Sequence, residues 1–300
     1  MGELTSMTNG LTCCRPECAA VYPIVDGRPV LIDEERSIFT IADIVGRRQT
    51  TYRQDPTLRR LAKRILPDLT LNFRSRANYA QLKSLLLARS ADAHVLVVGG
   101  RSLGRGMEPI TTCDRIELIE TDVTLEDRIR VVCDGHGLPF KSCSMDGVVV
   151  QAVLEHVIDP ARCVSEIHRV LKRDGLVYAE TPFMQQVHGG AYDFTRFTPL
   201  GHRRLFRHFE EVSSGAVAGP GVALAWSYRY LLQGFARTRA GKERAAVIAR
   251  LTGFWLKYFD LLLIDRQGAQ DGSSCSFFLG KKSDQPVPDR ELLRQYRGVG

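Results

Sequence analysis

No apolar run in this 300-residue chain approaches the roughly 18 residues that a membrane span requires. The opening stretch MGELTSMTNG lacks a basic segment followed by an apolar one, so a secretory leader is not expected either, and the chain reads as cytoplasmic. Internal repeats and low-complexity tracts are missing as well. The net charge of +7 is not gathered into a nucleic-acid arm, although Arg47, Arg48, Arg59, Arg60, Lys63 and Arg64 make one segment distinctly basic. Cysteines at 13, 14, 18, 113, 133, 143, 163 and 275 form no regular framework and suit reduced, buried thiols better than disulfides. Only Cys13, Cys14 and Cys18 cluster, and no CxxC pair lies nearby. A closed structural zinc site takes four ligands, so no bound metal is expected.

What is present is ordinary globular material: 44% hydrophobic and 25% charged residues, enough for one large domain and a small one. The chain divides into four blocks. Residues 1–35 hold the cysteine cluster and short β-rich runs about the turn signal Asp26-Gly27. Residues 36–92 turn helical and polar, with Leu58, Leu61 and Ile65, then Tyr79, Leu82, Leu85 and Leu86 at helical spacing, broken by Pro67. This block is expected to cover an edge of the core. Residues 93–282 alternate strand-like runs (VLVV, RIELIETDV, IRVVCD, MDGVVVQAV, GLVYAETP) with helical ones, which specifies a parallel sheet covered on both faces. Residues 283–300 form a tail.

The stretch VLVVGGRSLGRG, 95 to 106, ends a buried strand in a crowd of glycines, yet fits no fingerprint cleanly. A dinucleotide turn would need glycine where Arg101 stands, and a phosphate loop would need Lys-Ser/Thr where Arg105-Gly106 stands. The glycines taken alone fit a packing turn as well as a ligand turn. The ends of the later strands decide between them. In an open α/β sheet the ligand lies beyond the carboxyl ends of the strands, so residues after successive strands should share one site. Those residues are Gly99, Gly100, Gly104 and Gly106; then Glu120 and Asp122, on one face of a strand and placed to accept ribose hydroxyls; then Asp134 and Gly135, placed for an adenine ring; then Gln151. One of the two acids Glu120 and Asp122 is expected to be a solvated strand end.

The segments VVCDGHGLPF, SMDGVVVQAVLEHVIDP and EIHRVLKRDGLVYAETP resemble, in order and spacing, those of class I S-adenosylmethionine-dependent methyltransferases of the type 11 kind, over roughly residues 94 to 212. The resemblance implies a Rossmann-like α/β fold: a seven-stranded methyltransferase sheet with helices on both faces, and S-adenosylmethionine as cofactor. The chain departs from the family where strand one usually ends in an acid and a G-x-G-x-G turn, for it has Val97 and Arg101. The N-terminal segment, with Cys18, Tyr22-Pro23-Ile24 and Asp26 to Leu31, resembles half of the small zinc-ribbon domain that accompanies RNA and protein methyltransferases. A simple β-hairpin is the equal alternative.

The acceptor side is read from ETPFMQQVHGGAYDFTRFTPLGHRRLF, 180 to 206. His188 is the candidate base, and Tyr192, Asp193 and Arg196 are candidate substrate contacts, with a structural Asp193–Arg196 pair as the alternative. His156 is expected to pack, and His168 and His202 to lie on the surface. Residues 220–266 interrupt the last antiparallel hairpin, EEVSSGAV with SSCSFFLGKK, as a helical insertion rich in aromatics and Leu, suited to core packing, a lid, a dimer contact or peripheral membrane contact. The leading expectation is methyl transfer to a small-molecule, glycan or lipid-like acceptor. Methylation of RNA, and a non-catalytic binding module, are the alternatives.

Overall fold

The computed structural model describes residues 3–7, 10–15, 18, 20–47 and 66–299. Four short strands come first: β1 (Leu4–Met7), β2 (Gly10–Cys13), β3 (Val21–Val25) and β4 (Arg28–Leu31). The turn between the last two places Asp26 at φ 51° and Gly27 at φ 73°. Two successive left-handed residues make a turn whose twist matches that of a hairpin, and Asp-Gly is the pair that tolerates it. Helix α1 (Ile41–Val45) begins at Thr40, whose hydroxyl accepts from the Asp43 amide. Helix α2 (Ser75–Leu87) buries Tyr79, Leu82 and Leu86. Leu58, Leu61 and Ile65 lie outside the described residues.

Then the alternation begins: β5 (Ala93–Val98), α3 (Glu108–Thr111), β6 (Ile116–Asp122), β7 (Val131–Cys133), β8 (Met145–Gln151), α4 (Pro160–Val170) and β9 (Leu171–Pro182). Helix α4 starts where Asp159 accepts from the Arg162 amide at 3.0 Å and Pro160 takes the first helical position, which needs no N–H. After α5 (Pro199–Leu205) and β10 (Phe209–Ala218) come three helices, α6 (Pro220–Gly234), α7 (Arg239–Gly253) and α8 (Asp260–Leu263), before β11 (Cys275–Lys282) and α9 (Asp289–Arg294).

The strands form one sheet in the order β1-β2-β3-β4-β7-β6-β5-β8-β9-β11-β10. Pairing is parallel from β4 to β9, and β11 is antiparallel to both its neighbours. Alternate residues of the central strands feed two cores. Leu96, Val98, Val148 and Val150 pack with Ile167 and Phe206 on one face; Val95, Val97 and Val149 pack with Tyr79, Leu82 and Leu86 on the other. Strands buried on both faces must be apolar along their whole length, which is why VLVV and GVVV carry no alternation.

Strands β5 to β11 are the seven expected of the α/β domain, and the four strands of the N-terminal segment, expected to be small and β-rich, extend the same sheet to eleven. Val30 and Leu31 of β4 pair with Val132 and Cys133 of β7, and Val30, Ile32, Phe39 and Ile44 share a core with Ile129 and Val132. An exposed edge of β7 would invite pairing, and the segment covers it. The tail holds α9, tied to α5 through Arg204, Arg207 and Asp289. His202 is 2% exposed and not on the surface, and His168 is half-buried with its Nε2 3.0 Å from the Ser283 carbonyl. Cys13, Cys133 and Cys163 are buried, but Cys14, Cys18 and Cys143 are exposed.

Candidate functional site

Chain order reverses at β5, which has β6 on one side and β8 on the other. Such a switch point leaves a crevice beyond the strand ends. A cavity of about 940 Å³ occupies it. Its wall takes Gly99, Gly104, Asp122, Asp134, Gly135 and Gln151 from the strand ends, and His188 and Tyr192 from the loop after β9.

The glycine turn is tight. Gly99 (φ 77°) and Gly100 both donate to the Thr121 carbonyl, at 2.9 and 2.8 Å. A Cβ on Gly99 would overlap a Val153 methyl, and one on Gly104 would overlap Gln151 Oε1. Gly100, Gly106 and Glu120, grouped with the cofactor set on sequence grounds, stand behind the wall. Gly100 lets the turn rest on the Glu120 side chain, Gly106 rests on Ser75 and Arg76, and Glu120 is an ion-pair partner of Arg128 at 2.9 Å. Neither acid of the pair at the end of β6 is thus a solvated strand end.

Asp122 accepts from the Arg101 amide and from Thr124, and burial pushes its carboxyl above the usual range despite these bonds. Asp134 already has protein partners on both oxygens: the Ser37 hydroxyl on Oδ2 at 2.5 Å, and the His136 amide and ring on Oδ1 at 3.0 and 2.6 Å. Burial works against its charge, but these bonds hold it below the usual carboxylate range. Because the Asp159 amide donates to His136 Nε2, the ring's Nδ1 carries the proton that faces Asp134. Asp134 therefore orders its turn as well as lining the cavity.

The sequence reading missed Glu180. It comes from β9, is 1% exposed and lines the cavity. It accepts from Tyr178, Ser75 and Gln151 at 2.6, 2.7 and 2.7 Å, and burial pushes its carboxyl up. Gln151 is held on its other side by the Tyr79 hydroxyl at 2.9 Å. The signal was there: an acid that ends the apolar run LVYA of β9. A carboxylate absent from β5, where Val97 stands, thus reaches the same cavity from β9. Carboxylates at Asp122 and Glu180, a turn of backbone amides and a half-apolar wall suit a ligand with a ribose diol, an ammonium and a sulfonium.

On the far side, Asp193 is not a cavity residue. It accepts from the His188 and Gly189 amides at 2.7 and 3.0 Å and pairs with Arg196, which also donates to the Gln185 and Gln186 carbonyls. These bonds lower the Asp193 carboxyl far below its usual range, against its burial. Asp193 and Arg196 therefore clamp the loop that carries His188, and neither lines the cavity. His156, expected only to pack, is at the wall with its Nδ1 2.6 Å from the Tyr192 carbonyl. Burial would lower the His188 ring, yet the Glu155 carboxylate raises it above its ordinary value. Among the described residues, the one group of side chains spaced to hold a metal is Glu155, His156 and His188, and not the N-terminal thiols.

Helix α6 closes this side. Trp226 donates to Thr70 at 3.0 Å, Ser227 accepts from Gln186 at 3.0 Å, and the Tyr230 hydroxyl donates to the Val187 carbonyl. Asp260 of α8, fully buried, accepts from the Gly219, Gly221 and Val222 amides at 2.9, 2.7 and 3.1 Å and so caps α6.

In shape the chain is similar to geranyl diphosphate C-methyltransferase from Streptomyces coelicolor, at 13% identity over 69% of this chain and 76% of that one, with a TM-score of 0.41. It is similar to phosphoethanolamine N-methyltransferase 2 from Haemonchus contortus, at 16% identity over 68% and 53%, TM-score 0.41. It is also similar to the YcgJ protein of Bacillus subtilis, at 15% identity over 70% and 100%, TM-score 0.37. No curated protein matches the sequence. Residues 111–179 match the family model described as a methyltransferase domain.

Proposed function

We propose that the protein transfers a methyl group from S-adenosylmethionine to a small-molecule, glycan or lipid-like acceptor that enters between the loop 183–198 and helix α6. The observation that carries this reading is the cavity of about 940 Å³, with strand-end carboxylates on one side and His156, His188 and Tyr192 on the other. Ligand pockets run to about 1,000 Å³, so this one has room for a cofactor and an acceptor together. Asp122 serves the ribose, Glu180 and Gln151 serve the amino-acid end, and Gly99, Gly104 and Gly135 let backbone approach. The cofactor supplies an electrophilic methyl on sulfur. The chain's own part is to align an acceptor atom with it and keep water out, which is where most of such acceleration arises. When the acceptor must lose a proton, His188 stands at the wall to take it.

A lipid-like acceptor or membrane surface is supported by the outer face of the insertion. Leu231, Phe235, Ile248, Leu251, Trp255 and Leu262 are each at least half exposed, with Ile248 and Leu251 one turn apart on α7. Arg237, Arg239, Lys242 and Arg244 lie between the two stretches. An apolar stripe beside cationic groups complements an anionic bilayer surface. No helix among the described residues is long and apolar enough to cross a membrane.

The test is incubation with methyl-labelled cofactor and three substrate pools: small molecules, lipids and RNA. Label in the first two supports the reading, and label in RNA alone overturns the acceptor class. Calorimetry showing no cofactor binding would leave a binding module and no enzyme.

A further inference from the structure

Glu155 follows β8 and is fully buried, and neither of its carboxylate oxygens has a hydrogen-bond partner. A carboxylate in that position is costly unless something positive meets it. Two imidazoles face it. His156 Nε2 lies 3.6 Å and His188 Nε2 3.7 Å from Oε1, both beyond hydrogen-bond range, and the ligand atoms of all three residues lie within 4.8 Å of one another.

The other ring nitrogens say which atoms point inward. His156 Nδ1 is 2.6 Å from the Tyr192 carbonyl, and His188 Nδ1 is 3.2 Å from the Gln186 carbonyl, closer than the Arg196 guanidinium at 3.4 Å. A carbonyl only accepts, so Nδ1 donates in each neutral ring and Nε2 presents its lone pair toward Glu155. Backbone carbonyls orienting the outer nitrogen are the second shell that metal-bound histidines carry. The loop is shaped for the approach: Gly189 has no side chain, and a Cβ there would meet the His156 ring at 2.5 Å. The two rings sit edge-on, 5.0 Å between centroids. The Asp193–Arg196 clamp holds the His188 loop in place. All three residues line the cavity, so the space between them opens to the acceptor.

We propose that Glu155, His156 and His188 bind one divalent transition-metal ion, of the zinc, cobalt or manganese class, whose open positions face the acceptor. Two imidazole nitrogens and one carboxylate oxygen are a donor set for such ions, and the positions left over take water or a substrate oxygen. The proposal deepens the methyl-transfer reading and rests on it for its chemical use. With the ion on its Nε2 the His188 ring no longer serves as the base, and an acceptor hydroxyl held by the ion gives its proton to solvent at the cavity mouth before the methyl group arrives. Its oxygen lone pair then forms the bond to the methyl carbon while the carbon–sulfur bond breaks onto sulfur.

The probe is cobalt, read by its visible d–d bands in chelator-dialysed full-length protein carrying Cys13→Ser, Cys14→Ser and Cys18→Ser, with zinc as competitor. One cobalt ion per chain is expected, displaced by zinc, and bound at least 100-fold more weakly after Glu155→Gln or His188→Gln. Cofactor affinity measured by calorimetry should stay within threefold in both variants, which also reports that they fold. Absence of stoichiometric cobalt overturns the site, as does cobalt binding that both variants leave unchanged. Full methyl transfer in the dialysed protein overturns the ion's use. Ion binding without cofactor binding would sink the methyl-transfer reading and leave the metal site standing.

Discussion

The two ends of the cavity are built in opposite ways. The end proposed for the cofactor is made of strand termini: Gly99, Gly104, Asp122, Asp134, Gln151 and Glu180 each follow or end a strand of the parallel sheet, and backbone register places them. The end proposed for the acceptor is made of loops: Glu155, His156 and His188 line it, held by the Asp193–Arg196 ion pair and carbonyl contacts, with the capped helix α6 packed against the loop. A sheet position is determined by its neighbours in the ladder, so the first end tolerates little change. The second depends on a few polar anchors and is where specificity can vary without loss of the fold.

That contrast can be broken most sharply at the glycine turn. In Gly104→Val the new side chain overlaps Gln151, and in Gly99→Val the residue also carries a left-handed φ of 77°. Cofactor affinity should fall at least about 100-fold, roughly 3 kcal/mol. Calorimetry checks it, with circular dichroism to show that the sheet persists. Near-native affinity in both variants would mean the turn does not touch the cofactor.

At the other end, Asp260→Ala removes the acceptor of three buried amides of α6. Bonds to a charged group and the orphaned amides together should lower unfolding stability by about 2 to 3 kcal/mol, measured by urea denaturation. Cofactor affinity should stay nearly unchanged. If affinity collapses with stability, the insertion is part of the sheet's core and the two ends are not separable.

Beneath the acceptor loop, His202 sharpens the comparison through pH. Burial holds its pKa down to about 3, against 6.5 when unfolded, and its Nε2 has no hydrogen-bond partner. Between those values the unfolded chain binds more protons, so stability is full above pH 6.5 and falls as pH drops toward 3. The loss by pH 5 should be about 2 kcal/mol, and His202→Leu should flatten it. Parallel urea midpoints at pH 7 and 5 for both proteins decide the matter.

The smallest effect is expected at the outer face. Phe235→Ser with Leu262→Ser should weaken binding to anionic vesicles roughly tenfold, with neutral vesicles bound weakly by both proteins. Equal sedimentation of variant and parent with anionic lipid would remove the membrane-surface reading.

Legibility divided along the same line. The run VLVVGG, the acids of IETD, the turn at CDG and the cap Asp159-Pro160 could be read because local pattern determines strand, turn and helix start. Glu180 was missed because its strand read as core, and Glu155 because a loop acid carries no local period and meets His188 only through the fold. Gly100, Gly106 and Glu120 do not line the cavity, since being near a strand end does not say whether a residue faces the crevice or the layer behind it. Asp193 and Arg196 were left open between substrate and structure; only the fold showed two loop amides converging on one carboxylate.

By itself, then, the sequence determined the parallel core: apolar strands alternating with helices can bury their surfaces in few other ways, and the acidic and glycine residues at strand ends follow from that topology. Tertiary structure alone decided that the N-terminal hairpins extend the sheet through β4 and β7, and that Glu155, His156 and His188 face one another. Edge pairing and loop convergence join residues tens of positions apart, and such contacts depend on three-dimensional packing that no local period in the chain records.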